Sequence, residues 1–393
     1  MNYILFDDGL IRTQLLPFTF TRPIAEIRVG ILTISEKWKI LLGSSVSILT
    51  ENYLSEKYPL VQKKQNVLIN SSIIPDEKLV DAIKKLKSNQ ALSFEDSIIA
   101  YRIGGDEMNK MGEENVEAME EIEYRDGFAQ IQNVWDIFLL NGAQIRLDYE
   151  RITAGRNSQK CSKTNRVSSA DHIFIEEDCH IENAYLNADQ GPIYIGKNVE
   201  IMEGAMLRGP LSIGEGSVIK MGAKIYGDTT FGPHCKIGGE VSNSVIFGYS
   251  NKAHDGYLGN AVIGEWCNLG ADTNASNLKN DYTNVKVWSY TADTFVPTEE
   301  IFCGLFMGDY SKSAINTMFN TGSVVGVCAN IFGSGFPRPF TPSFMWGTLP
   351  YDVEKAIETA ERVCARRQIE FSSVDAEILR NIYQMTHKNR SKK

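Results

Sequence analysis

Large hydrophobic residues recur every six positions along one stretch of the chain: Ile195, Ile201, Leu207, Ile213, Ile219, Ile225, Phe231 and Ile237. Glycine follows several of them, at 196, 214, 232 and 238. A six-residue period fits neither the 3.6-residue turn of a helix nor the two-residue alternation of an isolated strand. It fits a solenoid of three-sided coils. Each hexapeptide supplies one flat face, the large side chain points inward, and small residues turn the corners. The repeat slips near Val245 and resumes in a new phase at Tyr257, Ile263 and Leu269. It is interrupted by "SNLKNDYTNVKVWSYTADTFVPTEE", which is expected to leave the solenoid as a loop, and returns at Met307, Ser313, Phe319, Val325 and Ile331.

The flanks differ in kind. Towards the N-terminus, the short apolar runs "YILF", "VSILT" and "NVLIN" alternate with helical patterns in "PDEKLVDAIKKLK" and "VWDIFLLNGAQIRLDYE". That alternation predicts an α/β domain with a mainly parallel sheet. "GSGFPRPFTPSFMWG" closes the solenoid, and "DVEKAIETAERVCARR" and "SVDAEILRNIYQMTHKN" read as two amphipathic helices with Asp and Ser near their starts. The expected organisation is an α/β domain over 1–155, a polar linker over 156–175, a β-helix over 176–347, and helices with a basic tail over 348–393.

A net charge of −9 argues against a nucleic-acid partner, and the one basic stretch, "HKNRSKK", reads as a solvated tail. No run of 18 apolar residues predicts a membrane span. "MNYILFDDGL" lacks the basic region and cleavage site of a secretory signal. The seven cysteines are scattered, odd in number and without CxxC spacing, as expected of reduced thiols in a cytoplasmic protein. His172, His180 and His234 share no metal-ligand spacing with carboxylates.

The chemistry concentrates in "KAHDGYLGNAVIGEWCNLGADTNASN", residues 252 to 277. His254 sits at a break in the repeat, adjoins Asp255 and leads a polar series, which suits a general base at neutral pH. Tyr257 is either a packed corner aromatic or a phosphate ligand. Asn268 and Asn277 are either turn residues, since asparagine tolerates left-handed corners, or ligand residues. The glycines at 264 and 270 read as structural, and Cys267 as packing.

Hexapeptide coils followed by a histidine, "YLG", "IG", an Asn-hydrophobic-Gly-Ala run and a further Asn resemble the bifunctional glucosamine-1-phosphate acetyltransferase/UDP-N-acetylglucosamine pyrophosphorylase family. The N-terminal "LLPFTFTRPIAEIRVGILTISEKW" is similar to the start of a sugar-phosphate nucleotidyltransferase, and the whole chain resembles a shortened, divergent branch of that two-domain family. The resemblance implies a left-handed parallel β-helix, a homotrimer, and acetyl-CoA as acyl donor to an amino-sugar phosphate. It places His254 as the base, Tyr257, Asn268 and Asn277 at the sugar phosphate, and the backbone of Ala271 at the thioester. The family's arginine and lysine have no clear match; Tyr226 and Asn243 stand near their places, Leu278 replaces a tyrosine, and Lys286 is the candidate for part of the missing charge. In the N-terminal domain the family's glycine-rich nucleotide loop is replaced by "ILFDDGLIRTQLLPFT". Gly9, Arg12 and Arg22 remain as nucleotide-binding candidates for UTP or dTTP, and Asp7 and Asp8 as magnesium ligands. Two rival readings stand beside N-acyl transfer. One is a sugar-1-phosphate nucleotidyltransferase that uses the β-helix for oligomerisation or regulation. The other is a non-enzymatic sugar-nucleotide-binding scaffold.

Overall fold

The computed structural model describes residues 1–95, 97–108 and 119–390, so the last three residues of the basic tail lie outside the described residues. The chain divides into two compact units. Met1–Leu15, Arg22–Ile27 and Leu32–Asn133 form the first; Leu16–Thr21, Arg28–Ile31 and the chain from Val134 onward form the second.

The first unit is built on a six-stranded sheet. Its strands are β1 (Asn2–Phe6), β2 (Val46–Leu49), β3 (Gln65–Asn70), β4 (Gln90–Phe94), β5 (Ser97–Gly104) and β6 (Glu120–Glu123), in the order β2-β1-β3-β5-β4-β6. The three apolar runs of the sequence are its centre, with β1 parallel to both β2 and β3. Beyond β3 the sheet turns mixed rather than mainly parallel, because β5 runs antiparallel to both β3 and β4. The short connection from Phe94 to Ser97 forces this, since a parallel crossover needs a dozen or more residues. Helices α1 (Gly9–Gln14), α2 (Ile34–Leu42) and α3 (Glu77–Lys84) carry side-chain caps from Asp8, Thr33 and Asp76 respectively.

In the second unit the predicted helix after Val134 splits into a short turn, Asp136–Leu139, and α4 (Asn141–Thr153). Two buried polar residues fix α4 within this unit. Asn141 Oδ1 accepts from the Gly30 amide at 2.7 Å and from Thr230 Oγ1 at 3.0 Å, and Asp148 Oδ2 accepts from the Ile31 amide at 2.9 Å. After α4 the chain winds into a left-handed parallel β-helix of three sheets. The first face runs from Ile173–Ile175 to Phe340–Thr341, the second from His180–Ile181 to Leu349–Pro350, and the third from Arg166–Ser168 to Met318–Phe319. Strands therefore begin inside the segment expected to be a linker. The first inward positions, Val167, Ile175, Ile181 and Leu186, do not keep a constant six-residue spacing, so the repeat is not legible there.

The repeat residues stack as the spacing requires. Ile195, Ile213 and Phe231 line the first face, Ile201, Ile219 and Ile237 the second, Leu207 and Ile225 the third, all buried in one core. Where the repeat slips, the inward residue on the third face is Leu258, not Tyr257; register pairs Val241 with Leu258 and leaves Tyr257 pointing outward beside Glu240. The predicted excursion carries a two-stranded hairpin, Lys286–Ser289 with Thr294–Pro297. Val262 then pairs with Phe306 as directly as it does with Val245.

Several corners take left-handed backbone at residues other than glycine, among them Asn198, Asp228, His234, Tyr249, Trp266 and Asp272. At one corner edge His234, Tyr249, Trp266 and Tyr310 stack with ring centroids 5.1, 4.3 and 6.3 Å apart in succession. Helices α5 (Val353–Ala365) and α6 (Ser373–Met385) follow, the first capped by Asp352 as its sequence predicts and the second by Ser372, one residue before the serine that opens the predicted segment. Among the described residues, no helix is long and apolar enough to cross a membrane.

Candidate active site

His254 lies in the turn that carries the chain from the second face (Asn251–Lys252) to the third (Tyr257–Gly259), and its side chain is exposed. The coil above stacks directly on this turn. A Cβ at Gly256, where φ is +114°, would come within 2.2 Å of the Thr273 carbonyl oxygen. Only glycine therefore lets the segment Ala271–Thr273 approach the histidine corner so closely.

Tyr257 and Asn277 are brought together on the third face. Asn277 Nδ2 donates to Tyr257 Oη at 3.0 Å and to Asn260 Oδ1 at 2.7 Å, while the Tyr257 amide donates to Asn274 Oδ1 at 2.8 Å. Room for the tyrosine–asparagine bond exists because residue 259 is glycine; a Cβ there would lie 2.2 Å from Tyr257 Oη. Burial pushes the Tyr257 hydroxyl above its ordinary pKa, and the Asn277 bond opposes that shift. The group stays protonated, accepts from Asn277 and keeps its own O–H to donate outward.

Asn268 belongs to the second face, across the corner from that cluster. Its Oδ1 accepts from Asn251 Nδ2 at 3.3 Å, and Asn251 Oδ1 in turn accepts from Arg367 Nη2 at 3.0 Å. Ala271 stands in the corner one coil above His254, its carbonyl accepting from the Asn316 amide at 2.8 Å. Lys286 lies in the excursion hairpin with an exposed side chain. Within the chain, then, His254 lies in the turn that enters the third face, Tyr257 and Asn277 are bonded along that face, and Asn268 lies on the adjoining second face.

The sequence reading passed over Lys252. Register places it directly after Ile237 on the second face, in an inward file that otherwise holds aliphatics and Ser313, and it is only 2% exposed. Its Nζ donates to the His254 carbonyl at 2.5 Å and the Gly238 carbonyl at 3.3 Å. Gly239 makes the space, since a Cβ there would lie 2.9 Å from Nζ. Burial pushes this ammonium down to about 8 from 10.5, against the pull of Asp255 and Asp272. The site thus holds a costly charge beneath its histidine.

Lys252→Met should remove a charge penalty of about 3 kcal/mol at pH 7, the cost of holding a proton against that desolvation, and it also takes away the donor that the His254 and Gly238 carbonyls share. In the wild type the folded chain releases the proton near 8 and the unfolded chain near 10.5. Wild-type stability therefore rises with pH across that window while that of Lys252→Met does not, so the difference between them moves in the wild type's favour by about 3 kcal/mol. Denaturant unfolding of both proteins from pH 7 to 10.5 checks this; a gap independent of pH would disprove the charge penalty.

In the first unit the Asp7 carboxylate, 3% exposed, is fully engaged. It accepts from Arg12 Nη1 at 2.9 Å, Thr50 Oγ1 at 2.6 Å, Ser71 Oγ at 2.9 Å and the Ile24 amide at 2.9 Å. Arg12 is buried and also donates to the Arg22 carbonyl at 3.2 Å and Tyr53 Oη at 2.9 Å. Asp8 caps α1 through the amides of Leu10 and Ile11, and Gly9 is exposed at the start of that helix.

Comparison with known proteins places this domain. The family described as sugar nucleotidyl transferase matches residues 3–157. The N-terminal domain belongs to the sugar nucleotidyl transferase family. A bifunctional sugar-1-phosphate nucleotidylyltransferase/acetyltransferase of Sulfurisphaera tokodaii is 28% identical over 278 residues, 69% of this chain and 62% of that protein. A bifunctional protein GlmU of Methanocaldococcus jannaschii is 34% identical over 87 residues, 22% of this chain and 21% of that protein. A bifunctional protein GlmU of Trichodesmium erythraeum is 43% identical over 53 residues, 13% and 11% of the two chains. The matches span less than two thirds of each relative's length.

The loop of this sugar nucleotidyl transferase domain does not fit a resident magnesium ion. Asp7 has no acceptor site to spare without displacing a donor, and one Asp8 oxygen is committed to the helix cap. Among the described residues, no group of three His, Cys, Asp or Glu side chains could hold a metal.

Proposed function

We propose that the β-helix is an N-acyltransferase that takes an acyl group from acetyl-CoA to an amino-sugar phosphate, with His254 as general base, in the cytoplasm. The observation that carries this reading is the exposed His254 in a turn beside the Tyr257–Asn277–Asn260 cluster. The acceptor amine attacks the thioester carbon as His254 takes the proton the nitrogen loses. The C–S bond then breaks, the amide forms, and the thiolate leaves with the proton returned by the imidazolium. Tyr257 donates its free O–H to the sugar phosphate, and backbone amides near Ala271 meet the oxyanion. The name of one relative, which pairs nucleotidyl transfer with acetyl transfer, supports the reading. By analogy with the resemblance, the working assembly is a homotrimer.

Nucleotidyl transfer is the second reading, favoured by the family match over residues 3–157. It requires Arg12 to exchange Asp7 for a nucleotide phosphate, with magnesium arriving on the nucleotide. One assay separates the two. Purified protein is given acetyl-CoA, UTP or dTTP with magnesium, and a panel of amino-sugar phosphates and sugar 1-phosphates. We expect free thiol to appear with an amino-sugar acceptor. Pyrophosphate without thiol would replace the acyl-transfer reading by the second.

A further inference from the structure

Two strands from Tyr257 the third face carries a groove of about 480 Å³. Arg166, Arg208 and Lys224 line it, and none of its lining residues is acidic. All three cations are exposed, and among the described residues their side chains make no ion pair or hydrogen bond. This occurs in a chain whose net charge is −9. Lys224 has Glu240 as its neighbour on the next strand and Arg208 feels Asp189, yet three cations gathered in one groove without an acidic lining residue suit an anionic ligand. Between the cations stand Tyr185, Met206 and Tyr226, 49%, 45% and 42% exposed, which offer flat and polarizable surfaces to a planar group.

Register connects this groove to the proposed acceptor site. One outward file of the third face reads Arg166, Tyr185, Met206, Lys224, Glu240 and Tyr257, each paired with the next. In that file the neighbour of Tyr257 on the groove side is an acid, and the first cation stands two strands away, about 10 Å at sheet spacing. In a 2-amino sugar 1-phosphate only four bonds separate the amine from phosphorus, at most about 6 Å. Such an acceptor, with its amine at His254 and its phosphate at the Tyr257 hydroxyl, leaves the groove beyond Lys224 unfilled. A longer acceptor, with a second phosphate and a base beyond it, runs along the file to the cations and the aromatic surfaces.

We infer that the groove is the nucleoside-diphosphate subsite of the acceptor, so that the molecule acylated is a nucleoside-diphosphate amino sugar. Arg208 and Lys224 hold the diphosphate, Tyr185 and Tyr226 flank the base, and the amino sugar reaches the His254 corner. The acceptor role rests on the acyl-transfer reading above; the occupancy of the groove does not. It also sets an order. A nucleotidyl transfer must supply this acceptor, so acylation follows it.

The test has one arm independent of turnover. Lys224 in the full-length protein is labelled with an acetylating reagent and quantified by mass spectrometry, with and without UDP. UDP should slow labelling of Lys224 at least fivefold, UMP at the same concentration much less, and Arg208→Ala should abolish the protection. Unchanged labelling of Lys224 in UDP would overturn the subsite. In the second arm, Arg208→Ala should raise KM for a nucleoside-diphosphate amino sugar about tenfold or more with kcat unchanged. Turnover of the corresponding amino-sugar 1-phosphate should stay within twofold. Preference for the 1-phosphate, or an equal loss on both acceptors, would overturn the assignment. Protection of Lys224 without turnover of either acceptor would keep the groove as a nucleoside-diphosphate site and remove the acyl-transfer reading instead. Arg208 is exposed and its one electrostatic neighbour, Asp189, is held by the hydroxyls of Ser168 and Ser169, so its removal leaves folding intact.

Discussion

His254→Asn lowers acyl transfer by about 10²- to 10⁴-fold, the usual contribution of a general base, and leaves the β-helix folded. Asparagine keeps a hydrogen-bonding side chain of similar length but cannot take a proton from the attacking amine. Folding survives because nothing in the core depends on the imidazole. The side chain is exposed, and the contacts that hold the turn are made by its backbone carbonyl with Lys252. The measurement is kcat/KM for thiol release on the best acceptor, beside a thermal unfolding curve. A variant with wild-type turnover removes His254 as the base and returns the β-helix to a scaffold. A variant that fails to fold would instead show that the turn needs the ring, and His254→Gln then repeats the test.

Ile219→Asp is expected to unfold the middle of the β-helix. Ile219 is fully buried, with Ile201 on one side of it and Ile237 on the other in the stack. An unpaired carboxylate there costs several kcal/mol or more, comparable to the stability of an ordinary domain. Lys252 occupies an equivalent position one coil beyond Ile237, and the contrast is instructive. Its long chain carries the charge to the corner, where two carbonyls accept its protons. Aspartate is too short to reach a corner, and its oxygens would face carbonyls that also only accept. Circular dichroism and soluble yield report the outcome, with Ile219→Val, at about 1 kcal/mol, as the conservative control. A cooperative, near-wild-type melt for Ile219→Asp would contradict the burial.

The solenoid was legible because eight inward positions in succession carry large hydrophobic side chains at constant spacing. Legibility failed where corners shortened. Val241 follows Ile237 by four residues and Ile246 follows Val241 by five, so a six-residue count loses phase before reaching Lys252. A different signal survives the slip. Ser217, two residues before Ile219, donates to the Gly232 carbonyl and accepts from the Cys235 amide; Ser250 does the same with Gly264 and Cys267. Aligning Ser217-Val218-Ile219 with Ser250-Asn251-Lys252 puts the lysine inside. His254, Tyr257 and Asn277 could be gathered from the order of residues alone, but the Tyr257–Asn277 bond depends on two strands meeting across a coil. The engaged state of Asp7 was equally hidden, because its partners Thr50 and Ser71 lie far along the chain.

The excursion between Ile263 and Met307 interrupts the sequence without interrupting the stack. Each coil bonds only to the coils before and after it, so an added segment at a corner costs little beyond closing a longer loop. The architecture is modular in a literal sense. New binding surface can be grafted beside the histidine corner, lengthened or lost, while the coils that hold the corner keep their register. Divergence of acceptor preference among proteins of this design need not wait for changes in the scaffold itself.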